Sequence, residues 1–249
     1  MAHVVRMQSR ICGGGPALHS ILLSEGLSYR NGARYQTTLI GGALEPGESS
    51  MDAFAASRGV QPELRSAMRR AIDPLADARA VASAVKRLQE IKPLIVHTHT
   101  AKAGAVGRTA ARIVGTPVVL HTFHGHVFEG YFSPAKVKAM LAAERRLARW
   151  TDRILALSEA QRRDLVDVYK IAPAEKVEVV PLGLDLDRFS ELPARNAARA
   201  ELDLPAVAPV VGAAGRLVPI KRFDVLLEAF AQVLREVPQA ILLLAGDGA

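Results

Sequence analysis

The stretch from Pro93 to Phe132 limits the possible folds of this chain more than any other part of the sequence. Two short apolar runs, Leu94–Val96 and Val118–Leu120, flank the Ala-rich segment Lys102–Val114, which ends at Gly115. Short apolar runs predict buried strands, and an Ala-rich segment that ends at glycine predicts a helix. The stretch is therefore a predicted strand–helix–strand unit, in which a crossover helix joins two parallel strands.

The same alternation continues on both sides of this unit. Further strands are predicted at His3–Met7, Tyr35–Ile40, Arg153–Leu157 and Val177–Val180, and helices at Ala17–Leu27, Asp73–Ile91, Ser133–Thr151 and Glu159–Tyr169. Strands that alternate with helices of this length predict an α/β fold with a doubly wound parallel sheet. The segment Glu45–Arg70 mixes helix-like and loop-like pieces, and we assign no element to it.

The pattern changes near Asp185. Pro193, Pro205 and Pro209 surround a short helix of Ala and Arg, and we predict an interdomain linker over residues 186–208. A strand, a helix and a strand follow, which are too few elements for an independent domain. We therefore expect an N-terminal domain over 1–185, the linker over 186–208, and the beginning of an incomplete C-terminal domain over 209–249.

Composition excludes several classes of protein. The chain has 249 residues, of which 49% are hydrophobic and 23% are charged, as in a globular protein with a substantial core. The single cysteine, Cys12, excludes an internal disulfide framework and fits a reducing compartment. No apolar run approaches the roughly 18 residues of a membrane span, and no signal-peptide pattern is present. We therefore expect a cytoplasmic protein.

The net charge of +7 favours anionic partners such as phosphorylated small molecules or anionic lipid. Nucleic acid is not predicted, because the basic residues form no stripe with interleaved aromatic residues. The helix Ser133–Thr151 is basic and amphipathic, and two alternatives remain for it. It can lie on the inner surface of the membrane as a peripheral contact, or it can pack on the sheet and leave a basic edge in water.

Five of the seven histidines lie in the stretch described first: His97, His99, His121, His124 and His126. They come at the ends of the two apolar runs, and ligands bind at the carboxyl ends of strands in an open parallel sheet. A ligand-binding cleft is therefore predicted here. Because side chains two residues apart on a strand share a face, His97 and His99 are expected to lie side by side.

These histidines leave several chemical roles open. A zinc site needs at least a third protein ligand, and Asp and Glu are absent from residues 94–128, so no metal is predicted. His97, His99 and His121 can instead serve local hydrogen bonding. His124 and His126 lie in a predicted turn, where an imidazole can orient or deprotonate a substrate hydroxyl.

Two other segments indicate phosphate binding. Gly14 and Gly15 lie in a triple glycine between a strand and a helix, where backbone N–H groups can approach an anion. The spacing is not that of a dinucleotide-binding loop, and a flexible turn is the alternative. Arg216 follows a strand and Lys221 is predicted to open the next helix, so both can face one diphosphate. The alternative for this pair is two solvated surface charges.

Five motifs occur in an order that resembles a known family. They are Gly13-Gly-Gly-Pro16, His97-Thr-His-Thr100 with Lys102-Ala-Gly104, Thr122-Phe-His-Gly-His126, Val180-Pro-Leu-Gly-Leu-Asp185 and Gly215-Arg-Leu-Val-Pro-Ile-Lys221. Together they resemble glycosyltransferase family 4, whose members are retaining enzymes of GT-B fold. The resemblance implies two Rossmann-like domains with the active site between them, the N-terminal one for the acceptor and the C-terminal one for a nucleotide-sugar.

The resemblance also assigns expected roles to individual residues. The catalytic residues would be His124 and His126, the donor diphosphate would be bound by Gly14, Gly15, Arg216 and Lys221, and the acceptor side would include His97, His99 and Lys102. The implied reaction moves a sugar from a nucleotide-diphosphate-sugar to a hydroxyl of a glycan or lipid-linked acceptor, without a cofactor or an obligatory metal. The leaving phosphate would take the proton of the acceptor.

One departure from the family pattern affects the expected activity. The glutamate-containing motif and the nucleobase pocket of the family would lie beyond Ala249, so we expect a fragment with little activity of its own. A non-catalytic module that binds an acceptor or depends on a partner chain is the first alternative. Metal-dependent hydrolysis through the histidines is the second, and it would require bound zinc.

Overall fold

The structure, a computed structural model, describes residues 2–28, 35–65, 68, 73–125, 128 and 132–247. The chain divides into two compact units, Met1–Leu184 and Asp185–Ala249. The N-terminal unit contains a seven-stranded sheet, and the C-terminal unit contains a two-stranded sheet.

All strand pairs of the seven-stranded sheet are parallel, as predicted. The strands are β1 (Ala2–Gln8), β2 (Tyr35–Gly42), β3 (Glu63–Arg65), β4 (Ile95–His99), β5 (Val118–Thr122), β6 (Arg153–Ala156) and β7 (Val177–Val179). Their order is β3-β2-β1-β4-β5-β6-β7, which is a doubly wound arrangement that reverses direction between β1 and β4.

Among the residues that the structure describes, six α-helices connect these strands: α1 (Gly15–Ser28), α2 (Asp52–Ser57), α3 (Pro74–Ile91), α4 (Ala101–Val114), α5 (Pro134–Ala148) and α6 (Glu159–Arg163). Two differences from the predictions stand out. The unassigned segment contains α2 and β3, both too short for a clear period. The helix predicted to run to Tyr169 widens into a π-helical turn over Asp164–Val168.

Two helices begin or end at residues that the sequence identifies as helix boundaries. Asp73 caps α3 by accepting hydrogen bonds from the backbone N–H groups of Leu75 and Ala76, and Pro74 occupies the first helical position. A cap of this kind stabilises a helix by about 1 kcal/mol. Gly115 ends α4 with a φ of 76°, a left-handed conformation that favours glycine.

The direction of the connections decides which face each helix covers. Right-handed crossovers place α1 and α2 on one face of the sheet and α3 to α6 on the other. On the first face, Leu39 packs with Ala17 and Ile21 of α1. On the second face, Met7 and Val96 belong to a core cluster with side chains of α3 and α4. We refer to these as the α1 face and the α4 face.

Helix α5 packs its apolar side chains into the core. Val137, Met140 and Leu141 contact a cluster of buried residues that includes Ile154 of β6, while Lys136 and Lys138 remain exposed. The packing alternative given by the sequence is therefore confirmed. Within the part of the chain that the structure describes, no helix is both long and apolar enough to cross a membrane.

The C-terminal unit consists of α7 (Arg195–Glu201), β8 (Val210–Ala214), α8 (Phe223–Glu236) and β9 (Ile241–Ala245), with β8 and β9 parallel. Lys221 was predicted to open the helix, and this detail is wrong. It ends a 3-10 turn over Pro219–Lys221, and α8 begins only after Arg222, whose φ is 51°. Apolar side chains of α8 such as Leu227 are exposed within this unit.

Candidate functional site

The candidate site lies where the sheet reverses direction, at the carboxyl ends of β1 and β4. The chain leaves β1 toward α1 on one face and leaves β4 toward α4 on the other, which opens a crevice between the two loops. The Oγ of Ser9 lies 2.6 Å from Oγ1 of Thr100 and accepts a hydrogen bond from the N–H of Ala103. Thr100 has a φ of 64°, which is uncommon for a β-branched residue. Ser9 therefore ties the two diverging segments together at this point.

Strand register places two predicted histidines on the α1 face. His97 is paired in register with Arg6 of β1, and His99 with Thr122 of β5. The rings of His97 and His99 lie 4.1 Å apart, so the predicted side-by-side arrangement is confirmed. His97 Nε2 lies 2.8 Å from Oγ1 of Thr122. Both histidines belong to β4 and are buried, so the strand continues past the apolar run that we used to predict it.

Two more histidines complete a cluster around His99. His124, in the loop after β5, has its Nε2 2.9 Å from Nδ1 of His99. His19 of α1 contacts both rings edge-on, with ring centroids 5.7 Å from His99 and 5.3 Å from His124. We call His19, His97, His99 and His124 the histidine cluster. His124 is half-buried and the other three are buried, so the cluster reaches solvent at His124.

The histidines of this cluster are uncharged at neutral pH. Burial, with a smaller effect of the Arg6 charge, lowers the pKa of His19 to about 4 and that of His97 well below 6.5. Burial also lowers the pKa of His99 well below 6.5 and that of His124 to about 4. An imidazole with such a pKa is a weak base. His124 is therefore better suited to orient a hydroxyl than to deprotonate it.

Arg6 lies on the same face and has no acidic partner in the described part of the chain. Burial lowers its pKa to about 10, so it remains charged at neutral pH. Its only side-chain hydrogen bond in the described residues runs from Nη1 to Oγ of Ser24, at 3.4 Å, and its Nε is buried without a partner. The candidate site thus adjoins a buried positive charge.

The sequence analysis missed His19 and Arg6. The available signals were a histidine one turn into the helix that follows the glycines, and an arginine inside an apolar strand. Neither signal indicates which side chains will meet, because that depends on how α1 packs against β1.

The remaining predicted residues of the N-terminal unit have different surroundings. Gly14 and Gly15 are exposed at the start of α1, one turn before His19, and the C=O of Gly14 accepts the hydrogen bond of Leu18 N–H. Lys102 of α4 forms an ion pair with Asp77 of α3. His126 lies outside the described residues.

On the α4 face, His121 is held by contacts with neighbouring elements of the fold. His121 Nδ1 lies 2.8 Å from Oγ1 of Thr98, in agreement with the hydrogen-bonding role considered for it. A Cβ on Gly104 would come within 2.6 Å of the His121 ring, so glycine permits the close approach of α4. Arg108 of α4 donates from Nη2 to Glu144 of α5 at 2.7 Å.

The two predicted cations of the C-terminal unit lie at the ends of its strands. Arg216 follows Gly215, whose N–H donates to the C=O of Ala245 at the end of β9. The aliphatic stem of Lys221 passes 3.9 Å from the position that a Cβ of Gly215 would take. Both cations are exposed on this turn. The connection from β8 to α8 therefore carries both cations, with the stem of Lys221 against Gly215.

Comparison of the sequence with known proteins identifies relatives that are named as glycosyltransferases. The chain is 32% identical over 184 residues to the UDP-Gal:alpha-D-GlcNAc-diphosphoundecaprenol alpha-1,3-galactosyltransferase of Escherichia coli, covering 72% of this chain and 47% of that protein. It is 39% identical over 157 residues to the D-inositol 3-phosphate glycosyltransferase of Kineococcus radiotolerans, covering 58% of this chain and 34% of that protein. The chain therefore spans less than half the length of either relative.

Solved structures share the fold. HepE of Anabaena, solved in complex with UDP and glucose, has a TM-score of 0.76 at 21% identity, over 100% of this chain and 62% of that one. Sucrose-phosphate synthase of Thermosynechococcus elongatus has a TM-score of 0.75 at 20% identity, over 98% and 62%. The fold is thus the GT-B type expected from the motifs. A family model described as Glycosyltransferase Family 4 matches residues 13–188. Because this match covers more than half of the sequence, the chain belongs to glycosyltransferase family 4.

Proposed function

We propose that this chain carries the acceptor side of a retaining glycosyltransferase that uses a nucleotide-diphosphate-sugar as donor. The observation that carries the proposal is the histidine cluster at the switch point of a family member, where uncharged imidazoles reach solvent at His124. The names of both relatives contain a phosphate-bearing compound. A glycan or lipid-linked acceptor that bears phosphate is therefore the acceptor we propose, and the net charge of +7 favours it.

His124 is proposed to hold the acceptor hydroxyl or the reacting sugar by hydrogen bonding. His99 supports this role, since the 2.9 Å contact between the two rings fixes the orientation of the His124 imidazole. Because the pKa of His124 is about 4, we propose that the acceptor proton passes to the leaving phosphate instead. The new C–O bond forms as the bond to the diphosphate breaks, on the same face of the sugar.

The other predicted residues keep proposed roles around this centre. His97 and Lys102 belong to the acceptor side, and His126 remains a proposed neighbour of His124. Gly14 and Gly15 can offer backbone N–H groups to a phosphate at the start of α1. Arg216 and Lys221 are proposed to bind the donor diphosphate and to balance the charge that develops as it leaves.

We propose that transfer needs no cofactor, so that a chelator leaves its rate unchanged. We also propose a cytoplasmic location with peripheral contact to anionic membrane. The exposed lysines of α5 favour an electrostatic contact, because the apolar side of this helix is already packed in the core. Such a contact should weaken as salt is added, which vesicle sedimentation measures.

A module that works with another polypeptide is the second candidate. Within the C-terminal unit, the buried residues among those described are Ala208, Phe230 and Ala240, while apolar side chains such as Leu227 and Val233 are exposed. A unit with so small a core gives little support to a bound donor. We therefore propose that the 249-residue chain alone transfers sugar slowly.

One assay separates the two candidates. The chain is incubated with a panel of nucleotide-sugars and phosphate-bearing acceptors, and product formation, anomeric configuration and acceptor binding are measured. We expect slow transfer that His124→Ala lowers at least about 100-fold. His3→Ala is the matched control, because His3 contacts Thr38 at the other end of β1. Acceptor binding without transfer would support the module, and the absence of both would contradict both candidates.

A further inference from the structure

A basic depression lies at the end of the seven-stranded sheet opposite to the candidate site. Helix α5 ends shortly before β6, and Lys176 directly precedes β7, so the depression opens at the amino ends of these strands. It has a volume of about 600 Å³, and its basic lining residues are Arg145, Arg149, Lys170 and Lys176. We call it the α5 pocket. We propose that it binds one phosphate group of a small organic phosphate or of a lipid headgroup, beyond the function proposed for the chain.

The charge of the α5 pocket favours an anion. Four cationic side chains line it, and none of its described lining residues is Asp or Glu. The pocket also adjoins the C-termini of α5 and of the π-helical turn, and each of these helix ends carries about −0.5 of an elementary charge. Together they offset only about one of the positive charges. The charge that remains suits a phosphate group, which carries about one to two negative charges at neutral pH.

Main-chain hydrogen bonds orient two of the four cations. Arg145 donates from Nη2 to the C=O of Tyr169 at 2.7 Å. Lys176 donates from Nζ to the C=O groups of Ala148 and Thr151, at 3.2 and 3.0 Å. A carbonyl acceptor leaves the positive charge in place, whereas a carboxylate would cancel it. These bonds use neither Nη1 of Arg145 nor the third N–H of Lys176. Both head groups are therefore oriented in advance and can still donate to a ligand.

The other two cations have no structural task that would explain them. In the part of the chain that the structure describes, the side chains of Arg149 and Lys170 form no hydrogen bond or ion pair with the protein, and both are exposed. Lys170 follows a helix end with a φ of 50°, a position where glycine is preferred. Arg145 and Lys176 already serve the two helix ends, so the second pair adds positive charge that a ligand can balance.

The apolar lining of the α5 pocket narrows the class of ligand. Ala148, Ile171 and Ala172 are buried, and Val166 is half-buried, so the apolar surface lies deeper than the exposed cations at the rim. A ligand that fills the pocket gains by covering this surface as well as by meeting the charges. A phosphate attached to C–H groups, as in a glycerol phosphate, does both. We therefore expect an organic phosphate to bind more tightly than inorganic phosphate.

The experiment has one arm for each source of the phosphate group. In the first arm, the 249-residue chain is titrated with glycerol 3-phosphate, and the amide NMR signals of Ile171 and Ala172 report binding at the pocket itself. In the second arm, the chain is sedimented with phosphatidylcholine vesicles that contain or lack phosphatidylglycerol. We expect saturable shifts of both signals in the first arm, or sedimentation that requires phosphatidylglycerol in the second.

A double variant with a matched control connects binding to the pocket. Arg149→Gln combined with Lys170→Gln removes the two unpaired charges and keeps the main-chain bonds of the other pair. It should weaken binding by about tenfold or more, since each cation near a phosphate surface contributes about 1 kcal/mol. Lys86→Gln combined with Arg112→Gln removes two exposed charges from α3 and α4, outside the pocket, and should leave binding unchanged.

The two arms give results that separate the sources and can overturn the pocket. Shifts with glycerol 3-phosphate without phosphatidylglycerol-dependent sedimentation identify a soluble organic phosphate, and sedimentation that only the pocket variant loses identifies a lipid headgroup. Signals that do not move, together with equal sedimentation of the pocket variant and the unmodified chain, would overturn the proposal. Equal weakening in the pocket variant and the control would also do so. The transfer assay with His124→Ala involves no residue of this pocket, so the two proposals fail independently.

Discussion

The two faces of the central sheet each bury an arginine and at least one histidine. They differ in whether the arginine charge has an acidic partner. On the α4 face, Arg108 is paired with Glu144 at 2.7 Å and donates from Nε to the C=O of Gly104. On the α1 face, the guanidinium of Arg6 has a serine hydroxyl at 3.4 Å and no acidic partner among the described residues. Nη1 of Arg108 also lacks a partner, so the carboxylate is the main difference.

This difference separates a structural face from a candidate binding face. Glu144 lies on α5 and Arg108 on α4, so their pair joins two helices that pack on the same face of the sheet. The α1 face instead contains buried polar atoms without hydrogen-bond partners, near the point where the strand order of the sheet reverses. A bound ligand can form the hydrogen bonds that these atoms lack. Unpaired charge is costly in a low-dielectric interior. We infer that the α1 face gives up stability that the α4 face retains.

The largest expected effect is a loss of stability in acid, which should come mainly from the α1 face. Burial lowers the pKa of His19 to about 4 and that of His97, His99 and His121 well below 6.5. Below pH 6.5 the unfolded chain takes up protons that the folded chain does not. The stability that these groups contribute is therefore complete above pH 6.5 and falls as the pH drops toward the folded pKa values.

Each buried histidine should contribute about 1.4 kcal/mol per pH unit to this loss. Urea denaturation between pH 6.5 and 5 gives the slope of the unfolding free energy. Five described histidines have a strongly lowered pKa, and four of them form the histidine cluster, so replacing His121 should remove only about a fifth of the slope. A stability that does not change across this interval would contradict the assignment of uncharged histidines.

The next effect concerns the paired arginine of the α4 face. Glu144→Ala leaves the Arg108 charge buried without its partner and should lower the free energy of unfolding by about 3–5 kcal/mol. The control is Glu178→Ala, which removes an exposed pair with Arg153 and should cost less than about 1 kcal/mol. Equal losses in the two variants, measured by urea denaturation at pH 7, would remove the structural role given to Arg108.

The smallest effect has the opposite sign and comes from the unpaired arginine. Arg6→Met replaces a buried charge with an apolar side chain and should raise the free energy of unfolding by about 1 kcal/mol. Arg108→Met is the matched variant, and it should lower this free energy because Glu144 is then left unpaired. If both substitutions destabilise equally, Arg6 has a structural role like that of Arg108, and the contrast between the faces is wrong.

Much of the fold follows from local sequence. The alternation of apolar runs and helical segments predicts the parallel sheet, and Asp73 and Gly115 mark helix ends by their own chemistry. The weaker predictions have a physical reason. Strand β4 extends through two histidines because neighbouring strands supply its hydrogen bonds, and an apolar pattern does not record that support.

The candidate site follows from the sequence only in part. The two-residue alternation of side chains along a strand predicts that His97 and His99 share a face. This prediction needs only the positions of the two residues in one strand. The meeting of His19 with His99 and His124 depends on three separate elements and on how closely α1 packs. No local pattern specifies such contacts, so the residues that complete the cluster emerge only from the folded chain.

The hydroxyl of Ser9 has a consequence for how the crevice can respond to a bound molecule. It contacts Thr100 and Ala103 at the beginning of α4, and it lies just upstream of the glycines that precede α1. We therefore expect a displacement of the glycine segment that moves Ser9 to be passed on to the start of α4. The two walls should shift together, so the width of the opening is set jointly by both helices.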